Sequence, residues 1–318
     1  MSLFAMLFPG QGSQYVGMLS SFFYRSNNIF YNTFDEASEY IHFDLFKLIQ
    51  EGPKFKLNES KYTQVAILTA SVSIYRFWNY KHGKAPTFMS GHSLGEYSAL
   101  VCSDSIKFSD ALNFVFLRGQ LMEEITINRP TLMQAIIGID KKKAQTACST
   151  IKSKKIVSLS SINSHNQIVI SGDKSAVYKA SLNCKKLGAK HIFTLNTNIP
   201  AHSKLMKPIS EKLKKMLNMI SVHPPKIPVI NNVDVTSENN SENIKNALIR
   251  QIYSTVRWKE VIDFMKLKKN FVMLEIGPNK ILTKLNKKDK KIISFSTNNL
   301  KNFLIAFKKI NQGINEHK

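Results

Sequence analysis

The pentapeptide Gly91-His92-Ser93-Leu94-Gly95 sets a serine between two glycines, with a short strand candidate before it (87–90) and a helical run after it (96–102). A Gly-x-Ser-x-Gly turn between a strand and a helix leaves no room for side-chain bulk at the glycines. It lifts the serine hydroxyl to a helix N-terminus, where free backbone N–H groups stabilise developing negative charge. The N–H of Leu94, the residue after such a nucleophile, is then a natural oxyanion donor. An ordinary glycine-containing turn before a helix satisfies the same pattern, so the surroundings must decide.

A serine nucleophile needs a base. The chain has eight histidines. His92 adjoins Ser93, but neighbours on a tight turn diverge. His42, His82, His191, His223 and His317 have no supporting neighbours, and His165 lies in a polar loop. His202 stands out by position: Asn198-Ile199-Pro200-Ala201-His202-Ser203 is a proline-constrained loop leading into a helix expected at 202–219. A hydrolase of the Ser…Asp…His order would carry its acid between Ser93 and His202. Asp104, Asp110, Asp140 and Asp173 lie there, none in a recognisable motif. Arg118 falls in a helical run at 109–127. An arginine on a helix is ordinarily a surface ion pair. A buried guanidinium, in contrast, keeps its charge and can grip a carboxylate with two hydrogen bonds.

The elements that would position these residues alternate between strand and helix, which indicates an α/β core. A buried strand at 3–8 runs into the Gly-rich turn Pro9-Gly10-Gln11-Gly12-Ser13-Gln14, and a largely buried helix is expected over 63–80. After Asn128-Arg129-Pro130 the pattern changes. Strands at 132–139, 156–162, 167–171 and 191–195 and helices at 141–151 and 174–187 give the order β-α-β-β-α-β. That is the split βαβ, or ferredoxin-like, arrangement. The expected organisation is therefore a discontinuous core, 1–129 and 199–318, with a small ferredoxin-like subdomain, 130–198, spliced into it. Beyond it, strands are expected at 229–233 and 271–276, and helices at 241–253 and after Trp258.

Composition bounds the remaining classes. With 318 residues, 43% of them hydrophobic, the chain can bury a large core. No run of about 18 apolar residues exists, so no membrane span is expected. The apolar start lacks a basic n-region and meets Pro9-Gly10 at once, unlike a signal peptide. Three cysteines, Cys102, Cys148 and Cys184, have no metal-ligand spacing and fit a reducing cytoplasm. The net charge is +23, from 45 basic and 22 acidic residues. Arginine occurs only as Arg25, Arg76, Arg118, Arg129, Arg250 and Arg257, and every other base is lysine. This bias reads mainly as drift in an AT-rich genome. It would still favour an anionic partner through long-range attraction. Nucleic-acid binders concentrate such charge with arginine and aromatics interleaved; no such stripe is present. Against the drift, a retained Arg118 hints at a geometric need.

The chain resembles the malonyl-CoA:acyl-carrier-protein transacylase family over almost its whole length. The matching segments, in order, begin with Phe8-Pro9-Gly10-Gln11-Gly12-Ser13-Gln14 and Gly91-His92-Ser93-Leu94-Gly95-Glu96-Tyr97-Ser98-Ala99-Leu100. Arg118-Gly119-Gln120-Leu121-Met122, Gln167-Ile168-Val169-Ile170-Ser171-Gly172 and Pro200-Ala201-His202-Ser203 follow. Asn231-Asn232-Val233-Asp234-Val235, Gln251 before Val256-Arg257-Trp258, and Glu275-Ile276-Gly277-Pro278 close the series. The resemblance implies an α/β-hydrolase-like core with a ferredoxin-like insertion. It implies Ser93 as nucleophile, His202 as general base, and the backbone N–H groups of Gln11 and Leu94 as oxyanion donors. It also implies Arg118 on the malonyl carboxylate, and Gln251 near the histidine, where a backbone carbonyl orients the imidazole in a Ser-His dyad. Malonyl-CoA and an acidic acyl carrier protein are the implied partners; the implied chemistry needs no metal, nucleotide or redox cofactor, and the family is usually monomeric. The chain departs from the family at Ser161, His165-Asn166 and Thr255, changes expected to touch a loop lining the cleft.

Overall fold

The computed structural model describes residues 3–26, 28–151 and 154–312; His317 lies outside them. The strands form two separate sheets. The first is built from β1 (Phe4–Phe8), β2 (Phe88–Gly91), and two late strands, Val272–Glu275 and Ile293–Ser296. Between them in the chain come β3 (Thr131–Ile137), β4 (Val157–Ser164), β5 (Gln167–Asp173) and β6 (His191–Thr194), so the late strands are β7 and β8.

The first sheet has the order β2-β1-β7-β8, and all its pairs are parallel. Parallel strands are covered on both faces, and β1 shows it residue by residue. Phe4, Met6 and Phe8 enter the main core, which includes the Ser60–Tyr80 and Phe108–Glu124 helices. Ala5 and Leu7 enter a second core with Trp258, Val261, Met265 and Leu282.

The second sheet, β4-β5-β3-β6, is wholly antiparallel. Ile136, Ile168 and Ile170 on one face pack against Ala144, Val177, Ala180 and Cys184 of the Lys141–Ser149 and Lys174–Lys186 helices. Met133, Ala135 and Val169 on the other face meet Leu195 and Ala201, the residue before His202.

Several boundaries differ from the sequence reading. The strand expected at 229–233 shrinks to a parallel bridge between Val229 and Met89. Asn231 ends it, because its Oδ1 accepts from the N–H groups of Val233 and Asp234 and bends the chain into a turn. His202 precedes its helix: a 3-10 turn spans Lys204–Met206, and the α-helix runs Lys207–Met219. The family departures do not share one cleft loop. Ser161 lies inside β4 and bridges to Val256, whereas His165-Asn166 forms the two-residue tip of the β4–β5 hairpin. The hydroxyl of Thr255 donates to Leu159 O at 2.7 Å, binding its loop to the same strand. β8 and the final helix, Leu300–Gln312, are additions to the sequence reading.

Candidate active site

Ser93 sits at the end of β2, immediately before the Gly95–Cys102 helix. Its backbone φ is +54°, the left-handed region that few non-glycine residues occupy. The flanking glycines serve a different purpose, since neither has a positive φ. A Cβ on Gly91 would stand 1.8 Å from the backbone carbon of Gly95, and one on Gly95 would stand 2.0 Å from the carbonyl oxygen of Phe8. The motif glycines thus permit three backbone segments to touch, and the strain falls on the serine. Asn232 holds that strained turn from both sides: the Ser93 N–H donates to Asn232 Oδ1 at 2.7 Å, and Asn232 Nδ2 donates to Gly91 O at 2.7 Å.

His202 comes from the loop after the second sheet, also with positive φ (+59°). The hydroxyls of Ser160 on β4 and Ser171 on β5 both donate to the carbonyl of Ala201, at 2.7 and 2.8 Å. This fixes the loop so that His202 Nε2 lies 2.6 Å from Ser93 Oγ. Nδ1 lies 2.7 Å from the backbone oxygen of Gln251. A carbonyl only accepts, so Nδ1 carries the proton and Nε2 presents its lone pair to the serine hydroxyl. Gln251 ends the Ser241–Gln251 helix. Its carbonyl is one of those a helix C-terminus leaves without an intrahelical donor. Burial, and after it the charge of Arg118, hold the His202 pKa down to about 3.

The four aspartates between Ser93 and His202 are elsewhere. Asp104 pairs with Lys226, Asp140 caps the Lys141–Ser149 helix, and Asp173 binds Arg129. Asp110 lies in the first turn of the Phe108–Glu124 helix. With both ring nitrogens already engaged, the arrangement is a Ser-His pair with a carbonyl in third place. His92, half-buried and tilted against the Trp258 ring, turns its Nε2 to Asn163 Oδ1 at 2.9 Å and away from Ser93.

Arg118 is almost wholly buried, at 1% exposure. Nη1 donates to Gln64 Oε1 at 2.7 Å, and Nη2 stands 3.4 Å from Ser93 Oγ. Tyr97 lies beside Arg118 and favours its charged form, while Arg118 Nε has no partner within 3.5 Å. The Nε–Nη2 edge, with Nε unpaired and Nη2 holding only the long contact to Ser93 Oγ, is therefore a fork with room for an acceptor beside the serine. The same edge of Arg129 holds both oxygens of Asp173, at 2.7 and 3.0 Å, and shows what such a fork accepts.

Gln11 and Leu94 keep their backbone N–H groups unpaired among the described residues. The loop carrying Gln11 packs on the serine turn, since a Cβ on Gly10 would lie 2.5 Å from His92 O. The Gln11 side chain accepts from Ser60 Oγ at 3.2 Å; Ser60 in turn accepts from Gln64 Nε2 at 2.8 Å.

Sequence reasoning gave no role to Asn232, Gln64 or Glu96. Glu96 is 2% exposed, and its Oε2 accepts from Asn232 N and from Gln251 Nε2, both at 2.9 Å. Burial pushes its pKa up to about 7. Two of the three had a visible signal: Glu96 is a lone acid in the apolar run after the motif, and Gln64 a lone amide among small and apolar residues.

Among the described residues, no group of three or more His, Cys, Asp or Glu is placed to hold a metal ion, and no helix is long and apolar enough to cross a membrane. Residues 5–307 match the acyl transferase domain family. The malonyl CoA-acyl carrier protein transacylase of Buchnera aphidicola subsp. Schizaphis graminum is 60% identical over 98% of this chain and 100% of its own length. The structure of the malonyl CoA-acyl carrier protein transacylase from Coxiella burnetii superposes with a TM-score of 0.95 at 38% identity, covering 97% of this chain and 98% of that one. A complex of a type II PKS acyl-carrier protein with its malonyl-transacylase contains a chain that matches with a TM-score of 0.94 at 43% identity, covering 96% and 99%. The chain belongs to the acyl transferase family, among the malonyl-CoA–acyl carrier protein transacylases.

Proposed function

We propose that this enzyme moves a malonyl group from malonyl-CoA to the phosphopantetheine thiol of an acyl carrier protein, through a malonyl ester on Ser93, in the cytoplasm. One observation carries the residue assignment: buried Arg118, its Nε unpaired and its Nη2 in only a long contact with Ser93 Oγ, stands beside a serine already hydrogen-bonded to a neutral imidazole. A buried guanidinium with one N–H left unpaired is costly to maintain. An acyl group ending in a carboxylate would satisfy it and would place the thioester carbon over Ser93 Oγ.

In the first half-reaction Ser93 Oγ attacks the thioester carbon as its proton passes to His202 Nε2. The N–H groups of Gln11 and Leu94 receive the oxyanion. The carbon–sulfur bond then breaks, and the imidazolium returns its proton to the departing CoA sulfur. The malonyl-serine ester remains, its carboxylate on Arg118. In the second half the carrier thiol gives its proton to His202 and attacks the ester, and Ser93 leaves as the hydroxyl. An acyl ester and a thioester are close in energy, so both halves run in either direction. A malonyl carboxylate on Arg118 also offsets the charge that weakens His202, so the base strengthens when the right acyl group is bound.

The architecture supports a division of labour. We assign 1–129 and 199–318 to an α/β-hydrolase-like catalytic core and 130–198 to a ferredoxin-like insertion. The strand order of the second sheet, in which the first of its strands lies between the third and the fourth, favours that reading.

Intact-mass measurement after mixing with malonyl-CoA tests the reaction. Wild type is expected to gain one malonyl group, which carrier protein then removes far faster than water does. Ser93→Ala gains none. A wild type without the adduct, or an adduct that survives in Ser93→Ala, overturns the assignment.

A further inference from the structure

We infer that Glu96 is a positioning residue for this reaction, whose single oxygen Oε2 holds the serine turn and the histidine support in one register. The inference rests on the Ser93–His202 reading above. Oε2 accepts from the backbone N–H of Asn232 and from Gln251 Nε2, both at 2.9 Å. Each donor leads directly to one member of the pair. Asn232 clamps Ser93 by its N–H and Gly91 by its carbonyl. Gln251 carries the carbonyl that accepts from His202 Nδ1, and its Nε2 also donates to Ser93 O at 3.1 Å. Three segments distant in sequence, the 91–96 turn, the 231–234 turn and the end of the Ser241–Gln251 helix, therefore meet on one carboxylate oxygen.

The placement explains why a carboxylate is tolerated here. Glu96 opens the Gly95–Cys102 helix, where the helix dipole favours an acid. Both Oε2 partners are N–H groups, and the side chain borders a small cavity lined also by Leu100, Val229, Asn231 and Glu238. Glutamine at this position would keep an acceptor oxygen for both donors, with room beside it for the amide nitrogen. Alanine would leave the Asn232 N–H buried without a partner and reduce the hold on the Gln251 amide to its longer bond to Ser93 O. The serine turn, held at positive φ, would lose the bond that anchors its Asn232 clamp. A pair held by such a hub tolerates little error, because about 1 Å of misplacement costs roughly a hundredfold in rate.

The test compares Glu96→Ala, Glu96→Gln and wild type in single-turnover acylation by malonyl-CoA. Glu96→Ala is expected to lower the saturating rate by about a hundredfold with the half-saturating concentration nearly unchanged. Glu96→Gln is expected to stay within about fivefold of wild type, since a neutral acceptor replaces a charged one. A second readout does not depend on malonyl chemistry. The Nδ1 proton of His202, buried against Gln251 O, gives an imidazole N–H resonance well downfield of the amides. It should persist in Glu96→Gln and vanish or broaden in Glu96→Ala. If Glu96→Ala acylates within about fivefold of wild type, keeps that resonance unchanged, or is matched in slowness by Glu96→Gln, positioning by Glu96 is wrong. If wild type forms no malonyl adduct, the substrate reading fails, and the resonance still decides the role of Glu96.

Discussion

Arg118 holds a full charge where burial opposes it, and its pKa is lowered accordingly. Its Nη1 bond goes to a neutral amide, and its charge acts on His202. The histidine ordinarily titrates near 6.5 and is held near 3, first by burial and second by Arg118. Between those values the native protein binds fewer protons than the unfolded chain. The His202 contribution to stability is therefore complete above pH 6.5 and is lost as pH falls through the folded value. Replacing Arg118 by methionine removes the charge and keeps most of the bulk. The pKa of His202 should rise, while remaining below the ordinary value because burial persists; an NMR titration of the His202 ring in both proteins measures this. The same variant should lose malonyl over acetyl preference in adduct formation by on the order of a hundredfold, the cost of leaving a buried carboxylate without its partner. An unmoved His202 titration would mean that Arg118 does not tune the base.

At the scale of elements, the second sheet carries the histidine side of the site without supplying a reacting group. The hydroxyls of Ser160 and Ser171, on adjacent strands, converge on one carbonyl, that of Ala201. The doubly substituted Ser160→Ala, Ser171→Ala protein should lose about 1–3 kcal/mol of stability, as expected for two hydrogen bonds to a buried acceptor. Its acylation rate should fall further than that loss of stability explains, because His202 follows the freed carbonyl; denaturant unfolding and single-turnover rates measure the two effects separately. The strands that hold those serines were legible in the sequence, since apolar periodicity between turn residues marks β4 and β5 well. The strand expected at 229–233 failed because the same Val and Ile pattern precedes Asn231, whose side chain captures two backbone N–H groups and ends the pairing after one bridge. β8 escaped notice because four residues, Ile293–Ser296, are too short a run for periodicity, and their partner is set by the sheet. Ser93 was singled out by its Gly-x-Ser-x-Gly turn, whereas His202 was singled out by its position and Arg118 by its residue type, and their roles came from the family resemblance. The Glu96 contacts were not readable, because they join residues 136 and 155 positions apart, and only the folded chain brings those together.

The whole molecule adds a field that no single residue explains. Forty-five basic side chains face only 22 acidic ones, so carboxylates cannot neutralise the surface, and the chain carries +23. The field acts on partners whatever its origin: over a screening length of about 8–10 Å at ordinary salt, an acidic carrier is drawn in and a small neutral thiol is not. Comparing the two acceptors separates steering from chemistry, since both attack the same malonyl-Ser93 ester and use the same base. Raising salt from about 20 mM to about 500 mM shortens the screening length severalfold. The kcat/KM for transfer to carrier protein should then fall by about tenfold or more, the scale of electrostatic enhancement of on-rates. Transfer to pantetheine should change little, because its encounter is not steered and the buried site is screened far less than the surface. A carrier rate that falls no further than the pantetheine rate would leave the lysine excess without a kinetic role, and would shift carrier selection to local contacts at the mouth of the site.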